Sequence, residues 1–239
     1  MYDSKYRGTR AVKMPKFHPK IVIAILLPVF LAVTALCVWR LGSEVNVKAP
    51  EEIEDYLFWE AKELADFKLT AAGNKTFDLD NMKGKWSFIF FGYTHCPDVC
   101  PTTLMQMGAA FKLLEYDPTI YPEIQGVFIS VDPKRDTPEL LKDYVTYFNP
   151  GFIGLTDNKA RIDAFSRQIG ALYSFHSESK DGDENTYEVT HNSTIFLIDP
   201  KGRLYGRFAP PQAAPEIASK FIRIRKFYKQ QEEKRWSLF

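Results

Sequence analysis

WSFIFFGYTHCPDVCPTTL, Trp86 to Leu104, is the stretch on which the reading of this chain turns. Its first six residues are apolar and largely aromatic, the pattern of a strand buried on both faces. Pro101 opens a helix at its favoured first position. Leu104, Met107, Phe111 and Leu114 follow at spacings of three and four, which gives that helix one apolar face. Cys96 and Cys100 therefore lie between a strand and a helix. On a segment that turns once, their sulfurs project to the same side. Cys100 falls at or next to the helix N-cap, where unpaired N–H groups and the helix dipole favour thiolate. The gap between the cysteines is wider than that of ordinary thioredoxin redox motifs. It leaves room for an ion between the sulfurs, and a plain disulfide is the alternative.

Working outward, Thr76 to Leu79 reads as a short strand before the turn Met82 to Lys85. Gly126 to Val131 reads as a second buried strand. Thr137-Pro138-Glu139 is a helix start: a Thr cap, a Pro in the first turn and an acid at the positive dipole end. Asn149-Pro150-Gly151 stops that helix. A further helix is expected from Asn158 to Gly170, then an exposed polar loop or hairpin over Ser174 to Glu188. Ser193 to Ile198 forms a third strand, a turn at Asp199 to Gly202 leads to Leu204–Phe208, and a last helix starts near Pro215. The order β-α-β-α-(α)-β-β-α predicts an α/β fold with a mixed central sheet flanked by helices, the thioredoxin-like plan.

Four histidines are present: His18, His95, His176 and His191. His18 belongs to the N-terminal leader, His95 reads as supporting or surface, and His176 as solvated. His191 stands at the head of the third strand, where a thioredoxin-like sheet turns toward the cysteine loop. Two thiolates and one imidazole make a soft three-coordinate set. Copper(I) accepts it, and copper(II) can add a weak ligand. A closed structural zinc site wants a fourth ligand, for which only Asp98 or a water is at hand.

The chain has 239 residues, a net charge of +1, 15% aromatics and three cysteines. The balanced charge shows no nucleic-acid footprint, and three cysteines are too few for a disulfide scaffold. Cys37 lies in the uncharged run Ile21 to Val38, which is long enough to span a bilayer. Lys5, Arg7, Arg10, Lys13, Lys16 and Lys20 precede it, and an acid-rich segment follows, so the N-terminus is expected in the cytoplasm. The expected organisation is a basic cytoplasmic N-terminus over 1–20, a transmembrane anchor over 21–39, a tether over 40–60, the thioredoxin-like domain over 61–232 and a tail over 233–239. The domain would face the periplasm, or the mitochondrial intermembrane space in a eukaryote.

FFGYTHCPDVCPTTL (Phe90 to Leu104), SVDPKRDTPE (Ser130 to Glu139) and THNSTIFLIDPKGR (Thr190 to Arg203) together resemble the Sco/SenC family of copper-binding, thioredoxin-like assembly factors. The resemblance implies copper bound by Cys96, Cys100 and His191. It implies a membrane-anchored metallochaperone for the dinuclear copper-A centre of cytochrome c oxidase, with the oxidase copper-A subunit as partner. A second copper chaperone or a thioredoxin-like reductant would be further partners. The pattern departs at Thr190-His191-Asn192, where Asp-His-Ser is commoner. The alternative is a thiol-disulfide oxidoreductase in which Cys96 and Cys100 are the redox-active pair that keeps the oxidase cysteines reduced. A peroxiredoxin-type peroxidase needs a Pro-x-x-x-Thr-x-x-Cys loop that is missing here, and a redox or copper sensor is a further reading. In the Asp132 to Glu139 stretch, a loop plus helix cap is favoured over direct chemistry.

Overall fold

In the computed structural model, which describes residues 27–36, 48–177, 187–191 and 193–236, a helical turn at Glu51–Glu54 leads into three strands. These are β1 (Leu57–Glu63), β2 (Lys68–Ala71) and β3 (Lys75–Asp78). The aromatic run becomes β4 (Trp86–Gly92), followed by α1 (Val99–Leu114), β5 (Ile124–Ser130) and α2 (Pro138–Phe148). Then come β6 (Ile153–Thr156), α3 (Lys159–Ile169), β7 (Tyr173–Ser177), β8 (Tyr187–His191), β9 (Ile195–Ile198), β10 (Arg203–Phe208) and α4 (Ala214–Trp236).

Among the described residues, eight strands form one sheet in the order β1-β10-β9-β4-β5-β6-β2-β3, and β7 pairs with β8 in a second, two-stranded sheet. β4–β5 and β5–β6 are parallel, while β4–β9 and the outer pairs are antiparallel. This is the mixed sheet the sequence predicts. Side chains alternate across β4, so its two faces meet different helices. Phe88 meets Phe111 of α1 and Phe221 of α4 on one face. Phe91 meets Phe165 of α3 on the other. Every residue of β4 and β5 is buried, as expected of central parallel strands covered on both sides.

The caps follow the sequence. Thr137 Oγ1 accepts from Leu140 N–H at 3.2 Å, and Asn158 Oδ1 accepts from Arg161 N–H at 3.1 Å. Three expectations need correction. Residues 57–60, read as tether, belong to β1, an edge strand paired with β10. Its charged, bulged, half-exposed sequence hides the strand, because edge strands carry such residues to discourage further pairing. β6 was not expected, since Gly154 interrupts its apolar pattern. There a Cβ would come within 2.8 Å of Leu141, so glycine lets α2 lie close on the sheet. The tail from 233 continues α4 as far as Trp236.

Residues 48–232 form one unit, and residues 1–47 with 233–239 the other. Of the expected anchor over 21–39, residues 27–36 are described and helical, with Leu27, Phe30, Leu31 and Leu36 exposed. Among the described residues no helix is long and apolar enough to cross a membrane. The basic N-terminus, His18, Cys37, residues 178–186 and the last three residues lie outside the described ones.

Candidate metal centre

β4 ends at Gly92, and the chain turns through residues 93–98 into α1. Cys96 N–H donates to the Tyr93 carbonyl at 3.3 Å, and Thr102 N–H donates to the Asp98 carbonyl at 3.1 Å. The helix begins at Val99, before Pro101, so Cys100 lies inside its first turn. Both Cys96 and Cys100 are thiols, with Cys96 half-buried and Cys100 fully buried.

Cys100 N–H points at Cys96 Sγ, 3.4 Å away. One of the unpaired amides of the helix N-terminus therefore supports negative charge on Cys96. The expectation that Cys100 is the thiolate is corrected here. The hydrogen bond with Cys96, followed by burial, pushes the Cys100 thiol well above the ordinary cysteine range. Iodoacetamide in limiting amount should label Cys96 at least about tenfold faster than Cys100 in the reduced protein, because accessible thiolate sets the rate. Peptide mass spectrometry reads the ratio, and equal labelling would contradict this assignment.

The loop after β5 holds the cysteine turn in place. Asp136, fully buried, accepts Thr94 N–H at 3.0 Å, the Thr94 hydroxyl at 2.5 Å and the Ser130 hydroxyl at 2.5 Å. Asp132, also buried, pairs with Arg135, whose guanidinium stacks 5.6 Å from the Tyr93 ring. The Asp132–Glu139 stretch is thus a loop and helix cap as expected, and a clamp on the cysteine turn as well. Nothing in the sequence pairs Asp136 with Thr94, since the contact crosses from one strand end to the next. Tyr144 of α2 was also missed. Its hydroxyl is buried without a hydrogen-bond partner among the described residues, and burial, then Cys100, Cys96 and Asp136, hold its pKa up.

His191 ends β8, paired with Tyr173, instead of heading β9. β9 begins at Ile195, which pairs with Phe90 near the end of β4. The β8–β9 connection thus returns to the sheet at the end where β4 gives way to the cysteine turn. The side chains of His191 and His176 lie outside the described ones. Among the described residues no three His, Cys, Asp or Glu side chains converge. His95 is half-exposed, with Nδ1 3.0 Å from Thr94 Oγ1.

The model of the SCO1/SenC family matches residues 59–226. The chain belongs to the SCO1/SenC family. A putative copper-binding protein of Stutzerimonas stutzeri is 36% identical over 148 residues, covering 62% of this chain and 70% of that one. The structure of Bradyrhizobium japonicum ScoI with copper bound is 35% identical, with TM-score 0.59 over 67% of this chain and 98% of that one. Yeast Sco1 with copper bound is 28% identical, with TM-score 0.63 over 74% and 99%. These Sco structures carry the same thioredoxin-like α/β plan, with a mixed central sheet flanked by helices.

Proposed function

We propose that this chain is a copper metallochaperone that holds one copper ion through Cys96, Cys100 and His191. It would assist assembly of the dinuclear copper-A centre of cytochrome c oxidase. The observation that carries this reading is the Cys96–Cys100 thiol pair at the β4–α1 turn, on the sheet end to which the β8–β9 connection returns. Membership in a family with members solved with copper bound supports it.

The donor chemistry agrees. Two thiols and an imidazole suit copper in either oxidation state, and both sulfurs must lose their protons as the ion binds. Copper is cargo, so the protein's task is to bind, hold and release it. The helix N-terminus supports charge on Cys96, while the hydrogen bond with Cys96 and then burial favour the thiol at Cys100 until a cation replaces its proton. Asp136 fixes the turn on which Cys96 rides.

The apolar run over 21–39 would anchor the chain in the cytoplasmic membrane, with the domain in the periplasm or, in a eukaryote, the intermembrane space. The copper-A subunit would be the acceptor, and another copper chaperone or a thioredoxin-like protein the donor or reductant. The test is titration of the full, reduced chain in detergent with copper(I), followed by mixing with the copper-free copper-A subunit. One equivalent bound and then passed on is the expected result. A second reading, a thiol-disulfide oxidoreductase acting on the oxidase cysteines, is favoured by the close approach of the two cysteines. No copper bound, with a reversible Cys96–Cys100 disulfide, would establish that reading in place of the first.

A further inference from the structure

α3 is followed by Gly170, whose left-handed φ of 78° turns the chain back on itself. Three residues later Tyr173 opens β7, beside the helix the chain has just left. The Tyr173 hydroxyl donates to Asp163 Oδ1 of α3. Lys159, one helical turn earlier, places Nζ 2.9 Å from the same carboxylate and 5.4 Å from the centre of the Tyr173 ring. The first residue of β7 is thus tied to α3 through a carboxylate that a lysine holds in turn. The ring itself is only half-buried. An open hollow of about 250 Å³ borders it, lined also by Ser166, Arg167 and Leu172, and Leu172 is exposed. Packing leaves the ring free on that side, so the hydroxyl bond to Asp163 is what fixes it.

That bond bears on the opposite strand of the hairpin. β7 and β8 form a sheet of their own, apart from the eight-stranded one. In its antiparallel register Tyr173 stands directly opposite His191. Backbones so paired lie about 5 Å apart and move together. Beyond His191 the chain enters the main sheet at Ile195, which pairs with Phe90. The backbone that carries His191 is therefore held from two directions, forward through β9 and sideways through Tyr173 to α3. We propose that Tyr173 and Asp163 are positioning residues for His191, fixing the strand that carries it before copper arrives. This rests on the copper reading above, in which His191 is the third ligand. A ligand on a strand already fixed costs the incoming ion less ordering. Copper(II) depends more on imidazole, whereas two thiolates still suit copper(I), so the benefit falls mainly on copper(II). Both residues act through His191, and neither is a ligand.

The full, reduced chain in detergent is titrated without oxygen against chelators of known affinity, once with copper(II) and once with copper(I). Tyr173→Phe keeps the ring and Asp163→Leu removes the acceptor. Each should lower copper(II) affinity by about tenfold, the lower end of what supporting contacts around a metal contribute. Copper(I) affinity should move far less. Asp163→Asn keeps an oxygen for the phenol and should bind copper(II) as the parent does. A double-mutant cycle tests the route of the effect. In a His191→Ala background, Tyr173→Phe should cost no further copper(II) affinity. Copper(II) electron paramagnetic resonance adds a spectroscopic check. The parent should show imidazole nitrogen coupling, and Tyr173→Phe a second signal that lacks it. Unchanged copper(II) affinity in Tyr173→Phe, or an equal loss with and without the His191 imidazole, would overturn the assignment while leaving the copper reading intact. A parent chain that takes up no copper, or a His191→Ala variant that binds copper(II) as tightly as the parent, would overturn both.

Discussion

Cys100→Ala should lower copper affinity by more than about a hundredfold, beyond what loss of a supporting contact around a metal typically does. The argument starts from burial. Cys100 is enclosed under the cysteine turn, and no solvent molecule has the softness to replace its sulfur. Cys96→Ala should do the same, because it removes the sulfur that the helix N-terminal amide of Cys100 supports. His191→Ala should separate the oxidation states. Two thiolates still suit copper(I), whereas copper(II) depends more on imidazole, so copper(II) affinity should fall further than copper(I) affinity. Competition titrations with chelators of known affinity, run in both oxidation states, measure each loss. Full copper(I) affinity in Cys100→Ala, or equal copper affinity in His191→Ala, would remove that residue from the site as drawn.

The legibility of this fold follows from where its information sits along the chain. β4 and β5 are continuous apolar runs because both faces of each are covered, and such strands announce themselves. The caps of α2 and α3 are equally local, since Thr137 and Asn158 each satisfy an amide a few residues on. β1 and β6 were hidden for opposite reasons. β1 is an edge strand with one face in water, so its composition resembles a tether. β6 carries Gly154 because a helix lies against it, and the glycine looks like a breaker when α2 is out of view.

The candidate site divides in the same way. Cys96 and Cys100 are legible because they share one turn. The clamp on that turn is not, because Asp136 and Thr94 are joined only once β5 lies beside β4. The protonation preference was misplaced on Cys100 for a related reason. A helix N-terminus favours thiolate in general, but which sulfur receives the amide depends on how the turn places the two side chains. The exposed end of the turn gave that role to Cys96.

Gly92→Ala should destabilise the protein by about 2 kcal/mol, in the range typical of overpacked cores. For a domain of this size that is a fall of roughly 4–8 °C in Tm. The backbone at Gly92 is not left-handed, so its φ alone does not demand glycine. The demand is steric: a Cβ would come within 2.7 Å of Cys100 Sγ and 2.8 Å of the Phe128 ring. Both neighbours are fully buried, and Phe128 is further confined by Phe90 and Tyr144, so neither can step aside cheaply. Displacing Cys100 should also weaken copper binding, which couples the stability defect to the site. A double-mutant cycle separates the two obstructions. If the sulfur is the main obstacle, adding Cys100→Ala should recover much of the stability that Gly92→Ala loses, though not the copper affinity. Thermal unfolding of the copper-free single and double variants measures this. A double variant no more stable than Gly92→Ala alone would put the strain on Phe128, and Gly92 would then guard the packing of the sheet instead of the position of the sulfur.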